Sequence, residues 1–279
     1  MFDQKDTSKL ISYWLRHNPN DGDLIADEFG WVSTEDLLKS LNLKGQKLDL
    51  NDIRSLNHSF DKIRWEFNED ESKIRATHGH SIPIVLSGQS VTPPKLLYHG
   101  TSTKKISSIV KMGILPMQRQ FVHCSETMEM AIEVGKRHGK PIIIEIDAEG
   151  LSQEGSKFFK TSDNVWLTDK IPSDFISLNP WKIASQDEKT GLLKQLKTEL
   201  AYGHILFDKT PNLELILRRH DCDDCLFLDN SDLKVYLVHL VWQGKQVDIN
   251  CPWTNAYDSF SHWIENALIG DQKDYYLIY

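Results

Sequence analysis

Arginine and histidine recur together at short spacing along the first half of this chain. Arg16 and His17 stand in LRHNP, Arg64 in DKIRWEF, and His78, Gly79, His80 and Ser81 in IRATHGHS. Tyr98, His99, Gly100 and Thr101 follow in LYHGT, Arg119 with His123 and Ser125 in MQRQFVHCS, and Arg137, His138 and Gly139 in VGKRHG. A guanidinium is planar, forked and permanently charged, which suits it to phosphate oxygens, while an imidazole adds a hydrogen bond or a proton near neutral pH. Glycine beside histidine lets the backbone approach a ligand closely. Arginines and histidines without an acidic ligand cluster point to phosphate chemistry that uses no metal. Taken singly, an Arg-His pair at a helix end is a favourable partner of the helix dipole, and an HG dipeptide is a turn. Their co-occurrence in this order carries the functional weight.

The charge balance narrows the class of ligand. Across 279 residues, 32 basic side chains stand against 40 acidic ones, a net charge of −8, which argues against a generic nucleic-acid coat protein. Between Lys95 and Lys140 eight basic residues stand against three acidic ones, so an anionic ligand is expected at a focused site. With 40% apolar and 26% charged residues the chain can bury a core and has no compositional case for disorder. The first twenty residues lack a continuous apolar stretch of signal-peptide type, and no run approaches the length of a membrane span. Four cysteines, with Cys124 isolated, make no disulfide framework. The expectation is a cytoplasmic protein with no membrane partner.

The elements that must position these residues follow from periodicity. Thr7 to Arg16 reads as a helix with Thr7 or Ser8 as N-cap, stopped before Pro19. Helices are expected at Thr34–Leu41 and Leu50–Asn57, then two short strands at 63–67 and 73–76. That order is the order of a winged helix. The linker VTPPK at 91–95 precedes a strand-rich α+β stretch with strands at 96–98, 121–124, 142–146 and 165–172 and helices at 105–111 and 128–135. After Pro180 an amphipathic helix at 187–201, strands at 213–218, 225–228 and 235–242, and a helix from about 257 to 268 make a further unit.

In this order the motifs resemble the RNA 2′-phosphotransferase family, the KptA-type enzymes that remove a 2′-phosphate from RNA at the expense of NAD. SKLISYWLRHNP, DEFGWVSTEDLL, DKIRWEF, IRATHGHSI, TPPKLLYHGT, ILPMQRQFVHCS, AIEVGKRHGKPIIIEIDA and VWLTDKIP all fall at family-like positions between about residues 7 and 178. The resemblance implies an N-terminal winged-helix lobe (1–90) and an ADP-ribosyltransferase-like NAD-binding lobe (91–180), followed by an accessory α+β domain of unknown function (181–279). It implies a catalytic tetrad of Arg16, His17, Arg64 and Arg119. For NAD it implies Tyr98, His99, Gly100, Thr101, His123, Ser125, Arg137, His138 and Gly139, with His80 and Ser81 nearby. Arg75 and Arg137 are competing arginines, set aside because they sit in neighbouring motifs.

The reaction so implied has two steps. The 2′-phosphate of a tRNA-like RNA attacks the nicotinamide ribose of NAD, expelling nicotinamide and leaving an ADP-ribosylated RNA. The ribose 2″-hydroxyl then attacks the phosphorus, releasing 2′-OH RNA and ADP-ribose 1″,2″-cyclic phosphate. Three arginines hold the phosphate, no metal takes part, and His17 orients hydroxyls or assists proton transfer. The alternatives are an NAD-dependent ADP-ribosyltransferase that caps terminal phosphates of RNA or DNA, and a non-catalytic nucleic-acid-binding protein. His78, Gln120, Cys124 and Asp163-Asn164 depart from the family pattern, the last with an extra negative charge that bears on NAD affinity. The run HDCDDC suggests zinc on His220, Cys222, Cys225 and Cys251 only weakly, and reads better as a solvated turn. Arg218 and Arg219 are candidates for a small anion or partner site.

Overall fold

The structure is a computed structural model that describes residues 3–59, 63–86, 90–161, 164–245 and 247–277. It is a mixed α+β fold built largely of antiparallel strand pairs. In chain order the elements are α1 (Gln4–Arg16), β1 (Val32–Ser33), α2 (Thr34–Leu43), α3 (Leu50–His58), β2 (Trp65–Phe67) and β3 (Lys73–Ala76). They continue with β4 (Leu96–Ser102), α4 (Thr103–Met112), β5 (Val122–Ser125), α5 (Met128–Lys136), β6 (Pro141–Asp147), α6 (Ala148–Gln153), β7 (Phe159–Lys160) and β8 (Val165–Thr168). The rest are β9 (Ile176–Leu178), β10 (Trp181–Ile183), α7 (Gln186–Glu199), β11 (Leu213–Arg219), β12 (Asp224–Asp229), β13 (Val235–His239), β14 (Trp253–Tyr257), α8 (Phe260–Trp263) and α9 (Ile269–Tyr276).

The chain packs as two compact units. The first takes the chain up to Pro93 together with Leu115–Cys124 and Ser152–Lys170, and the second takes Pro94–Ile114, Ser125–Leu151 and everything from Ile171 onward.

In the first unit α1 starts earlier than the expected Thr7 or Ser8 cap. Asp3 is the N-cap, its carboxylate accepting from the N–H groups of Lys5 and Asp6 at 2.8 and 3.2 Å. Thr7 and Ser8 lie inside the helix and are fully buried. Ile11, Trp14 and Leu15 recur on one face of α1 and enter a core with Leu37, Leu41, Ile53, Trp65 and Ile74, the spacing that a helix needs to bury a single stripe. β3 lies between β1 and β2.

In the second unit the strand order is β14-β13-β12-β11-β10-β9-β6-β4. β6 is the apolar run IIIEI expected as a buried strand, with Ile142, Ile143, Ile144 and Ile146 all out of solvent. Residues after 180 continue this same order of strands. α9 is tied to β6 by the buried side chain of Gln272, which accepts from the Ile143 N–H at 3.1 Å and donates to its carbonyl at 2.7 Å. β14 lies where the sequence reading assigns no element ahead of a helix at about 257, and α8 starts only at Phe260 under a Ser259 cap.

Gly100 shows how tightly α5 seats on β4. A Cβ at that position would lie 1.7 Å from the Ala131 carbonyl oxygen, so the missing side chain serves helix-strand packing. Gly100→Ala should therefore destabilise the fold by at least about 2 kcal/mol through overpacking against backbone that cannot rotate away. Urea denaturation of the two proteins checks this, and an unchanged midpoint would show that the helix sits less closely.

Candidate functional site

The last carbonyls of a helix have no partner inside it, and in α1 this vacancy organises the site. The Arg16 carbonyl accepts from the N–H groups of Ser81 and Ile82 at 2.9 and 3.4 Å. Gly79 makes the approach, with φ +88 in the left-handed region, and a Cβ there would meet the Arg16 side chain at 3.6 Å. The GHS segment is thus laid over the end of α1, where His17 is the C-cap. His17 Nδ1 and Ser81 Oγ hydrogen-bond at 2.9 Å.

Arg64 joins from the strand side. Arg16 Nη2 donates to the Arg64 carbonyl at 3.3 Å, and Arg64 Nη1 donates to the fully buried hydroxyl of Ser8 at 2.5 Å. Asn57, at the end of α3, fixes the backbone beneath, accepting from the Arg64 N–H at 2.9 Å and donating to the Trp65 carbonyl at 2.7 Å. These neutral acceptors orient the two guanidinium groups.

Arg119 sits in a turn in which its N–H donates to Pro116, and its side chain is exposed. Surrounding protein still desolvates the guanidinium enough to lower its pKa. The charge reaches His17, whose pKa is lowered by burial first, then by Arg16, then by Arg119. Gln120 anchors this turn. Its N–H donates to the His80 carbonyl at 3.0 Å, and its side chain accepts from the Ile84 N–H at 2.9 Å and donates to the Ile84 carbonyl at 2.5 Å. His80 is only 5% exposed, and its Nε2 has no hydrogen-bond partner among the described residues. Burial, followed by the charges of Arg16, His78, Arg75 and His17, pushes its pKa down to about 4. His123 packs edge-on to His78 with ring centroids 5.4 Å apart, its Nδ1 against the Phe121 carbonyl.

The first unit therefore gathers Arg16, His17, Arg64, Arg119, His80, Ser81 and His123. The remaining candidates belong to the second unit. Tyr98, His99, Gly100 and Thr101 lie on β4, where Tyr98 pairs with Ser125 on β5. Arg137, His138 and Gly139 form the exposed turn after α5. The turn lies beside the end of β4, since a Cβ on Gly139 would come within 3.8 Å of Ser102 Cβ and one on Gly135 within 2.9 Å of the Thr101 carbonyl. Burial and the carboxylates of Glu145 and Glu129 raise the Tyr98 pKa.

Sequence reasoning did not find Ser8 or Asn57, and met Gln120 only as a departure from pattern. A buried serine or asparagine that braces another side chain carries no local spacing signal. Arg75, the competing arginine, is held by Glu66 at 2.7 Å and stacks over Trp31 at 4.2 Å. Cys124 fills a core position, its thiol pushed up to about 12 by burial. Asp163 lies outside the described residues, as do Asp61 and Lys62 of DKIRWEF. Arg218 is paired with Glu188, and Arg219 donates to Asp221 at 2.9 and 2.8 Å. Cys225 is buried, Cys222 is exposed, and no group of three metal-ligating side chains forms among the described residues. No helix of the described residues is long and apolar enough to cross a membrane.

Residues 3–170 match the family described as RNA 2′-phosphotransferase, Tpt1 / KptA family. A "Probable RNA 2′-phosphotransferase" of Fusobacterium nucleatum is 44% identical over 169 residues, covering 60% of this chain and 94% of the relative. Proteins of the same name from Bacillus thuringiensis and Agrobacterium fabrum are 43% and 38% identical, covering 62% and 65% of this chain and 94% and 97% of themselves.

Two titrations test the geometry of the first unit. His17 should titrate below 6.5 by NMR, and Arg119→Gln should move it upward, because removing a nearby cation favours the imidazolium. An unmoved His17 would separate Arg119 from the cluster. For His80, the unfolded chain binds a proton below about pH 6.5 that the folded chain refuses until about pH 4. Stability should therefore fall by up to about 3 kcal/mol as pH drops through that window. His80→Gln should remove this share of the pH dependence, and denaturant midpoints measured between pH 7 and 4 check it.

Proposed function

The chain belongs to the RNA 2′-phosphotransferase, Tpt1 / KptA family, and from that premise we propose that it transfers an internal RNA 2′-phosphate to NAD. The products are nicotinamide, RNA with a free 2′-hydroxyl, and ADP-ribose 1″,2″-cyclic phosphate. The observation that carries this reading is the convergence of Arg16, His17 and Arg64 with the Ser81 segment on the open end of α1.

The 2′-phosphate is already an anion and needs no base, so the demand on the protein is to hold it and absorb its redistributing charge. Arg16 and Arg64, braced by the Arg64 carbonyl and Ser8, supply fixed donors that need no reorganisation during reaction. Arg119, on an accessible turn, closes on the same phosphate. His17 is depressed in pKa and so largely neutral at pH 7, the state that can take a proton from a ribose hydroxyl, with Ser81 fixing its ring.

NAD contributes an electrophilic ribosyl carbon with nicotinamide as leaving group. We assign its binding to the second unit. Arg137 on the exposed turn beside β4 is a donor for a pyrophosphate, the space beside Gly139 admits a close approach, and His99 and Thr101 lie on the adjoining strand. We read residues 1–90 as the winged-helix lobe and 91–180 as the ADP-ribosyltransferase-like lobe, with 181–279 as the accessory α+β domain, in a cytoplasmic enzyme acting on tRNA-like RNA without a metal.

Incubating the protein with NAD and an RNA bearing one internal 2′-phosphate should release nicotinamide and the cyclic phosphate in equal amounts. Arg119→Ala should slow single-turnover conversion at saturating NAD at least about a hundredfold. Accumulation of ADP-ribosylated RNA in the wild-type protein would favour a capping transferase that stops after the first step. No nicotinamide release at all would defeat the proposal.

A further inference from the structure

We propose that a cavity of about 230 Å³ in the first unit is a subsite for one nucleobase of the RNA, that of the nucleotide adjoining the one that bears the phosphate. The inference rests on the phosphotransferase reading and adds a substrate contact to it. The cavity is smaller than the roughly 300–1,000 Å³ typical of pockets for drug-sized ligands, which limits the occupant to a single ring system.

Its walls have the character of a base pocket. Phe29 and Phe159 contribute aromatic surface, Ile84 and Val85 aliphatic surface, and Thr77 and Glu66 hydrogen-bonding edges. Base-aromatic stacking is tolerant of sequence because every base presents a π face. An anion is a poorer fit, since of the two cations in the wall Arg75 is bonded to Glu66 and covered on one face by Trp31, and Lys160 lies over the Trp166 ring at 5.5 Å. The Arg75 contacts fall on Oε1 of Glu66, and a carboxylate accepts about four hydrogen bonds. Glu66 therefore keeps capacity to accept from an exocyclic amino group, the pairing that carboxylates make with cytosine N4. His80 also lines the cavity, and its buried Nε2 has no partner among the described residues.

The placement ties the cavity to the phosphate site. Thr77 lines the cavity and its N–H donates to the Arg64 carbonyl at 3.2 Å, the same oxygen that Arg16 reaches. His80 lines the cavity, while Ser81 bonds to His17. One stretch of backbone, 77–81, thus alternates between the two, and consecutive residues are about 3.8 Å apart. A phosphate on the arginines and the neighbouring base in the cavity would thus be held from one short stretch of backbone.

The test uses the whole chain and short RNAs with one 2′-phosphate, in which the adjoining nucleotide on either side is adenosine, uridine or an abasic ribose. On one side, adenosine should exceed the abasic RNA by about tenfold in kcat/KM, near the lower end of base-aromatic stacking, with uridine between them. Val85 lines the cavity and is 53% exposed, so Val85→Trp can cover the mouth without disturbing the core. It should shrink the preference to within about twofold while leaving the abasic rate and the KM for NAD unchanged. Wild-type kinetics that ignore the adjoining base would overturn the subsite. So would a Val85→Trp protein slowed equally on all three RNAs, or one in which the KM for NAD rises and base preference persists, an outcome that assigns the cavity to the adenine of NAD. If the wild type turns over none of the RNAs, the phosphotransferase reading fails. Fluorescence anisotropy of the same RNAs without NAD then decides the subsite by the same tenfold ratio in binding.

Discussion

The arrangement depends on one unsatisfied group, the carbonyl of Arg16 at the C-terminal end of α1. A buried or half-buried main-chain oxygen left without a donor costs free energy comparable to a lost hydrogen bond. Ser81 and Ile82 supply the donors. Because the same two positions follow Gly79 and His80, satisfying a backbone requirement also fixes which side chains stand around Arg16 and His17. Function and folding thus share a contact. Nothing about Ser81 could be altered in backbone conformation without releasing the helix end, so the geometry of the site is as durable as α1 itself.

Around that contact the arginines are handled in two ways. Arg54, Arg75, Arg218 and Arg219 are bonded to carboxylates, an arrangement that offsets their charge and suits them to structural roles. Arg16 and Arg64 make bonds to a carbonyl and a hydroxyl. Those bonds fix the direction of each guanidinium. The lowered pKa of His17 and of His80 follows first from burial and then from the same cationic neighbours, since desolvation and a positive field both disfavour the imidazolium.

How much of this could be read from sequence depended on whether the information was local. α2, α3, β6 and α7 announce themselves by period and capping. Ser185 with Glu188 forms the capping box expected of such a helix start. Asp3 was missed as a cap because the apolar stripe of α1 begins only at Leu10, seven residues after it. β14 was missed because WTNAY has no clean alternation, and an edge strand needs none when only one side is paired. The Arg and His motifs were legible as chemistry. Ser8, Asn57 and the bridging role of Gln120 were not, since each acts across distances in sequence of 56, 7 and 36 positions that no spacing rule encodes.

The glycines show why a motif and a mechanism must be separated residue by residue. Gly100 lies in the most conspicuous ligand-like motif, LYHGT, yet its missing side chain is occupied by the Ala131 carbonyl of α5. Gly79, in the less conspicuous THGHS, takes a positive φ and lets Arg16 pass beneath it. Gly139 also takes a positive φ, +128, but no backbone fills the place of its side chain, and the space beside it is open to within 3.8 Å of Ser102. Three glycines beside three histidines therefore answer different demands: packing at Gly100, turning at Gly79, and turning with open approach at Gly139. Only the last leaves room for a ligand, so the weight of a ligand-binding argument in the second unit falls on the Arg137-His138-Gly139 turn rather than on the strand whose sequence first drew attention.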